Sequence, residues 1–451
     1  MGEEQIMIDS RYMVKLFTTN ENYYMYDANR NRVLQLTRAM YNEINEHLRN
    51  TEYTSENIIA LKRKDYLKES VVQNIEHPFT RFVENMLERH VSTLILQVTQ
   101  NCNFRCRYCS FANNEDTTRT HSPQKMSFDI AKKSVDFLAE HCVDAKDVTI
   151  AFYGGEPLLN FSLIRETVEY AEKAIENKSI HYSMTSNMFL ATDEIISFLA
   201  QHGFELLISL DGPAQIQNNH RRLLSDGSST YDRVFSNVIR IKELHKEYFD
   251  THVRFNPVVY PDENPTEILR FFNSFLGVDE SMISLQQIDT TGINISFDPP
   301  SQDFGNPQKD LFDEKSESQF IRALRAKTEI TQNFHINGSC VPGADKLFVN
   351  IDGVFFPCEK VNECNKNMQI GSLEKGFFTD QIKYLMNIGY IINEKCKCCW
   401  AIRFCKMCCA HFDDGESNLS KYMFDRKCST TKTEALDYLK RAVRKQLLTI
   451  N

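Results

Sequence analysis

The sequence contains no stretch of about 18 consecutive apolar residues, the minimum that a transmembrane helix requires. Its first six residues are acidic and lack an apolar core, which argues against a secretory signal peptide and predicts a cytoplasmic protein. Positive charge is also scarce, because 52 lysines and arginines stand against 61 aspartates and glutamates, for a net charge of −9. Non-specific binding to nucleic acid depends on excess positive charge, so no nucleic-acid partner is expected.

Cysteine, by contrast, is plentiful, with 14 residues in a chain of 451. In a large chain without a signal peptide, this content indicates metal binding rather than disulfides. Cys102, Cys106 and Cys109 are separated by three and two residues and place three thiolates on one loop. Three thiolates suit a cubane iron–sulfur cluster whose fourth iron is open, whereas a structural zinc site or a ferredoxin would supply four ligands. The open position predicts chemistry at this loop.

The run from Gln100 to Cys109, with Tyr108 before the last cysteine, resembles the cluster loop of the radical S-adenosylmethionine (SAM) enzymes. This resemblance implies a 4Fe–4S cluster that binds SAM through its amino and carboxylate groups. It also implies reductive cleavage of SAM to methionine and a 5′-deoxyadenosyl radical, which abstracts hydrogen from an unactivated carbon. The alternative is a zinc knuckle or three unrelated thiols.

Residues 91–290 alternate between strand and helix patterns. Strands are predicted at 93–98, 148–152, 181–185, 205–210, 252–259 and 282–287, with amphipathic stretches between them. Such β–α repeats predict an α/β fold with parallel strands and right-handed crossovers. Six strands are too few for a full eight-stranded barrel, so we expect a partial (β/α)6 barrel. Cys102 follows the first strand, at the edge where parallel barrels place their sites.

Further motifs follow the other strands at the same edge. Paired glycines let the backbone approach a ligand closely, and a glutamate can accept a hydrogen bond from an ammonium group, although Gly-Gly also serves plain turns. The resemblance implies SAM contacts from Tyr108, Gly154, Gly155, Glu156, Pro157, Ser186, Asn187 and Ser209, and from Arg221 or Arg222, one of which would pair with the SAM carboxylate. Many relatives have glycine where Met188 stands. Asp211, which follows the fourth predicted strand, is a candidate proton acceptor.

Residues 339–451 contain ten of the remaining cysteines. Seven of them, with the spacings around Gly353, resemble the SPASM extension of radical SAM enzymes, which carries two auxiliary 4Fe–4S clusters. The resemblance implies that Cys340, Cys358 and Cys409 hold the first auxiliary cluster, and that Cys396, Cys399, Cys405 and Cys428 hold the second. The fourth ligand of the first auxiliary cluster is either Cys364 or a thiolate of the substrate. Cys398 and Cys408 each flank an assigned ligand and could replace it. A zinc ribbon would not explain seven cysteines in this order.

Residues 1–90 predict a hairpin and a third strand, followed by helices that begin at Thr37 and Ser55. This arrangement resembles the winged-helix peptide-recognition domain of peptide-modifying enzymes, which binds a leader peptide as an added strand. The alternative is a structural cap without a ligand. Residues 291–338 are polar and interrupted, and predict a linker or bridging region.

Together these segments resemble maturases of ribosomally synthesised peptides, most closely those of the sactipeptide and ranthipeptide type. The resemblance implies thioether bridges between a cysteine sulfur and a carbon of a precursor peptide. The expected partners are that peptide and an electron donor such as flavodoxin or ferredoxin, with no membrane partner. The alternatives are a carbon–carbon or ether cross-linking maturase, an anaerobic sulfatase-type formylglycine maturase, and a metal-stapled scaffold that binds peptides without catalysis.

Overall fold

The computed structural model describes residues 11–19, 22–113, 119–260, 262–287, 323–324, 326, 329–336, 338, 340–415 and 419–445. Residues 288–322, which make up most of the predicted linker, lie outside these ranges. Within the described part of the chain, no helix combines the length and apolar character needed to span a bilayer.

The strands of the described residues are numbered here in chain order. They are β1 (Val14–Thr19), β2 (Asn22–Asp27), β3 (Arg32–Leu36), β4 (Asn74–Ile75), β5 (Thr93–Thr99), β6 (Phe104–Cys106), β7 (Asp147–Gly154), β8 (Ser179–Ser186), β9 (Glu205–Ile208), β10 (Arg221–Leu223), β11 (Val253–Phe255), β12 (Val258–Val259), β13 (Gln286–Gln287), β14 (Asn333–Phe334), β15 (Leu347–Val349), β16 (Val354–Phe356), β17 (Gly371–Ser372) and β18 (Gly376–Phe377). The α-helices are Arg38–Arg49, Glu56–Arg63, Val83–Arg89, Ser110–Asn113, Phe128–His141, Phe161–Ala174, Asp193–Gln201, Ala214–His220, Tyr231–Leu244, Lys246–His252, Pro265–Phe271, Thr379–Met386, Gly389–Cys396 and Lys421–Arg444.

The N-terminal segment forms an antiparallel sheet, β1-β2-β3, followed by two helices. The side chains of Thr37 and Ser55 accept hydrogen bonds from the backbone N–H groups of Met40 and Ile58, as N-caps do at the first turn of a helix. The predicted hairpin, third strand and capped helices are therefore confirmed. Their apolar faces pack into a small core of their own.

A single nine-stranded sheet, in the order β11-β9-β8-β7-β5-β15-β16-β17-β18, forms the centre of the molecule. Strands β5, β7, β8, β9 and β11 pair in parallel, and helices connect them, as the repeats predicted. The predicted fifth strand is interrupted at Pro257, which has no N–H group for the ladder, so β11 and β12 are separate. The sixth predicted strand is shorter than expected: Gln286–Gln287 pairs with β12, and Ile283 forms only an isolated bridge with Phe255 of β11.

The C-terminal region extends this sheet instead of forming a separate one. β15 pairs in parallel with β5, with Leu347 opposite Leu94, and β16, β17 and β18 continue the sheet antiparallel. The N-terminal segment also contacts this region, because β4 pairs with β14 and Arg403 Nε donates to the Ala28 carbonyl at 2.7 Å. The strand that pairs with the outer edge of β5 is thus β15, which the sequence analysis did not predict.

Candidate active site

The loop that carries Cys102, Cys106 and Cys109 lies at the C-terminal edge of β5. Its second half forms a two-stranded ribbon, in which β6 pairs with β10 and Cys106 stands opposite Arg221. Burial raises the pKa of the Cys102 thiol, and Glu156, Cys106 and Cys109 raise it further. The pKa of Cys106 rises to about 12, again chiefly through burial. The three thiols are therefore near enough to one another for their charges to raise these pKa values.

Gly154 and Gly155 allow two backbone segments to approach closely. The Gly155 N–H donates to the Thr99 carbonyl at 3.1 Å, and the Glu156 N–H donates to the Asn101 carbonyl at 2.9 Å. A Cβ on Gly154, whose φ is +150°, would lie 2.1 Å from the Thr99 oxygen, and one on Gly155 would lie 2.2 Å from the Asn101 oxygen. We expected these glycines to face a ligand, but in the structure the close approach is to the chain that leads into Cys102.

Glu156 is fully buried and connects the ends of two strands. Its carboxylate accepts hydrogen bonds from the Ser186 hydroxyl at 2.7 Å and from the backbone N–H groups of Asn187 at 2.8 Å and Leu158 at 3.1 Å. Burial raises the pKa of Glu156, and these donors partly offset the rise. The structure thus brings together Glu156, Ser186 and Asn187, and Ser209 is tied to them through its N–H, which donates to the Ser186 carbonyl at 2.9 Å.

Arg221 and Asp211 form an ion pair beside the cysteine loop. Two guanidinium nitrogens of Arg221 contact the two Asp211 oxygens at 2.8 and 2.9 Å, and the Tyr108 hydroxyl donates to Asp211 Oδ2 at 2.8 Å. The Val258 N–H also donates to Asp211 Oδ1 at 3.0 Å. With both oxygens engaged, Asp211 fits a structural role better than the proton-accepting role that we considered. Of the two candidate arginines, Arg222 is exposed and Arg221 is buried.

Two contacts near the cysteine loop were not foreseen. His121 Nε2 lies 3.6 Å from Cys109 Sγ. Arg119 forms an ion pair with Glu363 at 2.7 Å, and Gln97 of β5 donates to the same Glu363 oxygen at 2.6 Å. The side chains of Arg119 and Glu363 are only 6% and 8% exposed. This network joins the cysteine loop to the segment after Cys358, and nothing in the local sequence pattern indicates it.

One group of C-terminal thiols contains Cys340, Cys358, Cys408 and Cys409. Burial raises the pKa of Cys409 well above its usual value, and the nearby thiols of Cys408, Cys340 and Cys358 raise it further. The pKa of Cys340 rises to about 12 and that of Cys358 to about 11, in both cases mainly through burial, and Cys408 contributes to both. Cys364, which we considered as a fourth ligand, has an exposed side chain. The structure therefore favours Cys408 over Cys364.

A second group contains Cys396, Cys399, Cys405 and Cys428, whose thiols raise the pKa of one another. Burial raises the pKa of Cys405 to about 12, with contributions from Cys399 and Cys428. Lys432 lies one helical turn after Cys428. Burial alone would lower the pKa of Lys432, but the negative charge of the four thiolates raises it. The four-residue spacing on a helix was the signal that could have identified this lysine.

The donor sets fit iron–sulfur clusters better than single metal ions. Among the described residues, no three histidine, cysteine, aspartate or glutamate side chains converge closely enough to hold one metal ion. A tetrahedral zinc site needs ligands only about 2.3 Å from a common centre. Buried and half-buried thiols that raise one another's pKa would suit the larger cationic core of a cubane.

A cavity of about 410 Å³ is lined by residues of the parallel strands β5, β7, β8, β9 and β11. Tyr153 and Thr185, which directly precede Gly154 and Ser186, line it, and Lys346 and Glu359 of the C-terminal region border it. Glu359 directly follows Cys358, so the lining of the cavity adjoins the first C-terminal thiol group along the chain.

Comparison with known proteins gives consistent matches. Residues 96–275 match the model of the Radical SAM superfamily. An uncharacterized protein of Methanocaldococcus jannaschii is 37% identical over 119 residues, which cover 26% of this chain and 38% of that protein. The cysteine-type anaerobic sulfatase-maturating enzyme of Clostridium perfringens strain 13 is 25% identical over 358 residues, or 73% of this chain and 91% of the enzyme. The radical SAM cyclopropyl synthase TigE of Paramaledivibacter caminithermalis is 26% identical over 380 residues, covering 79% and 76%.

Among solved structures, native anSMEcpe with bound AdoMet matches with a TM-score of 0.56 at 19% identity. The match covers 79% of this chain and 98% of that chain, so the two share a fold. The region matched by the superfamily model begins within β5 and ends in the last helical turn before Gly277. It therefore includes the cysteine loop and the strand-end motifs described above.

Proposed function

Because this chain carries a radical SAM domain, we propose that it is a maturase that forms thioether cross-links in a ribosomally synthesised, cysteine-containing precursor peptide. The observation that carries the proposal is the lining of the barrel cavity: Tyr153 and Thr185 directly precede the strand-end motifs at Gly154 and Ser186, and Glu359 directly follows Cys358. A substrate in this cavity would have the SAM-binding cluster on one side and the first auxiliary cluster on the other.

When bound, SAM and its cluster would supply the 5′-deoxyadenosyl radical that removes one hydrogen atom from a substrate carbon. A bond from the cysteine sulfur to that carbon then requires loss of the thiol proton and of one electron. A nearby auxiliary cluster provides an acceptor for that electron. An external donor such as flavodoxin or ferredoxin would reduce the first cluster.

The same proposal assigns the segments. Residues 1–90 would bind the leader peptide, 91–290 form the SAM-binding barrel, 291–338 bridge the two halves, and 339–451 hold the two auxiliary clusters. Strands β1 and β3 are the outer strands of this sheet, and a leader strand could add to the edge of one of them.

The test uses the full chain, reconstituted anaerobically with iron and sulfide. About twelve irons per chain are expected, since three cubanes carry four each. With SAM and dithionite the protein should release 5′-deoxyadenosine. Small cysteine-containing peptides encoded beside the gene would then be added, and their products analysed by mass spectrometry after thiol alkylation. A product lighter by two hydrogens, with one cysteine protected from alkylation, supports thioether formation. If the protein binds zinc in place of iron and does not cleave SAM, the enzyme is excluded and the non-catalytic, metal-stapled peptide-binding scaffold is the remaining alternative.

Formylglycine formation is the second candidate, favoured by the similarity to the sulfatase-maturating enzyme over 91% of that enzyme's length. It converts a cysteine to an aldehyde with loss of sulfur, so its product has a different mass and reacts with hydrazides. Carbon–carbon or ether cross-linking would lose two hydrogens but leave every cysteine open to alkylation.

A further inference from the structure

Arg254 is a cation in the barrel cavity without an acidic partner. It lies on β11 opposite Leu207 of β9, and both residues line the cavity. Its Nη1 donates to the carbonyl of the preceding residue, Val253, at 2.8 Å. Across the ranges that the structure describes, no carboxylate forms an ion pair with this guanidinium. Most of its five N–H donors therefore have no ionic partner.

Other charged groups line the same cavity. Lys346 Nζ lies 3.8 Å from Glu359 Oε1, and His252 Nε2 lies 3.9 Å from Glu205 Oε1. The Lys346–Glu359 pair is on the far side of the cavity, because four strands separate β11 from β15 in the sheet. With histidine neutral, the cations Lys346 and Arg254 equal the cavity's carboxylates in number, so Arg254 is distinguished by its lack of an ion pair among the described residues.

The residues around Arg254 leave room for a ligand. Ser183 and Thr185 on β8 and Ala151 on β7 have small side chains, and all three line the cavity. Interiors of parallel barrels are ordinarily filled by bulky branched residues. Thr185 pairs with Leu207, so Thr185, Leu207 and Arg254 lie in one row across the sheet. This row is one residue below Ser186, at the edge that carries the cysteine loop.

We propose that Arg254 binds the carboxylate of an aspartate or glutamate in the peptide segment that enters the barrel, so that the substrate is an acidic peptide. This inference rests on the proposed function and specifies its substrate class. A guanidinium and a carboxylate form two parallel charge-assisted hydrogen bonds, which fix orientation as well as position. The hydroxyls of Ser183 and Thr185 can donate to the same carboxylate. The bound acidic residue would lie directly beneath the SAM-binding edge.

The test measures binding of two blocked peptides, Ac-Gly-Cys-Ala-Asp-Ala-Gly-NH2 and its asparagine analogue, to the reconstituted full-length protein by calorimetry. The wild-type protein should bind the aspartate peptide about tenfold more tightly, equivalent to about 1.4 kcal/mol. Arg254→Gln should reduce this preference to less than about twofold, and Arg254→Lys, which keeps the charge without the planar fork, should retain part of it. Arg270→Gln, at an exposed arginine, is the matched control and should keep the full preference.

Equal affinity of the two peptides for the wild-type protein, or no detectable binding of the aspartate peptide, would overturn the inference. So would a preference that persists in Arg254→Gln. Release of 5′-deoxyadenosine by the wild-type protein is measured in parallel. If no 5′-deoxyadenosine is released, the result counts against the proposed enzyme but leaves a measured preference for the aspartate peptide intact. If 5′-deoxyadenosine is released but neither peptide is preferred, the result counts against the role of Arg254 alone.

Discussion

Arg221 and Asp211 form a buried ion pair with two parallel contacts, Nε to Oδ2 at 2.8 Å and Nη2 to Oδ1 at 2.9 Å. Their side chains are 7% and 0% exposed. Burial alone would lower the pKa of Arg221, but Asp211, with Tyr108 and Cys106, raises it well above the usual value. The pair links the loop after β9 to the ribbon that carries Cys106, so it supports the geometry of the cysteine loop.

Asp211→Asn should destabilise the protein strongly, because it leaves the buried guanidinium without a counter-charge. Such a loss costs about 3–5 kcal/mol, and the apparent melting temperature should fall by roughly 6–20 °C. The measurement is thermal unfolding followed by circular dichroism. Asp193→Asn is the control, because Asp193 makes a similar two-contact pair with Arg240 on the exposed surface. There the fall should be below about 4 °C, and equal falls would show that burial of the Arg221 pair is unimportant.

Gly155→Ala should displace the cysteine loop, because the new Cβ would meet the Asn101 carbonyl oxygen at 2.2 Å. We expect 5′-deoxyadenosine formation to fall by about 100-fold, the scale of effect that misplacing reacting groups by about 1 Å produces. Gly227→Ala is the control: nothing lies within 4 Å of its Cβ, although its φ of +69° carries a backbone cost of about 1 kcal/mol. If Gly155→Ala kept normal activity, the close approach would not matter for the site.

Cys408→Ala should lose part of the iron bound by the C-terminal region, and Cys364→Ala should not. The reason is that Cys408 lies among Cys340, Cys358 and Cys409, whereas Cys364 is exposed. The measurement is iron and sulfide content after reconstitution, together with the electron paramagnetic resonance spectrum of the reduced protein. Full iron content in Cys408→Ala with a loss in Cys364→Ala would reverse the assignment.

Cys102→Ala should abolish SAM cleavage, while Cys358→Ala should retain some cleavage and lose the peptide product. The two cysteines belong to different thiol groups. Release of 5′-deoxyadenosine and formation of modified peptide are measured separately for each variant. Normal product formation by Cys358→Ala would show that the auxiliary group is not needed for the reaction.

A pH effect is expected where β4 meets β14. The rings of His77 and His335 lie 4.3 Å apart, and burial, with His77, lowers the pKa of His335 to about 4. This folded-state pKa is below the unfolded value of about 6.5. The contribution of neutral His335 to the free energy of unfolding is therefore fully present above pH 6.5 and is lost as the pH falls towards 4. Between pH 7 and pH 5 the wild-type protein should therefore lose of order 1 kcal/mol more than His335→Gln does. His181→Gln, at an exposed histidine, should respond to pH as the wild type does.

The parts of this fold that follow from local pattern were predictable. Strands β5, β7, β8 and β9 have apolar alternation or buried runs, and the three-cysteine loop follows the first of them. The pairing of β15 with β5 was not predictable, because three residues, Leu347–Val349, carry too little pattern to identify a strand or its partner. A pairing between residues so far apart in sequence depends on the tertiary fold.

The site shows the same division. The strand-end residues Glu156, Ser186 and Asn187 could be found individually, since polar residues after buried strands share one edge of a parallel sheet. That Asp211 binds Arg221, and so is engaged on both oxygens, depends on the β6–β10 ribbon, which brings two short segments together. Likewise, Cys364 and Cys408 cannot be distinguished by spacing alone. Their different exposure is a property of the folded chain.

The parallel pairing of β5 with β15 also determines how long the barrel remains incomplete during synthesis. β5 leaves the ribosome roughly 250 residues before its partner, so at about 5–20 residues per second its outer edge stays unpaired for about 12–50 s. That edge includes Leu94, Ile95 and Leu96, and unpaired apolar edges favour association between chains. A chain that ended before Leu347 would keep the edge permanently. The cysteine-rich C-terminal region is therefore part of the barrel's own architecture and cannot be removed as a detachable module.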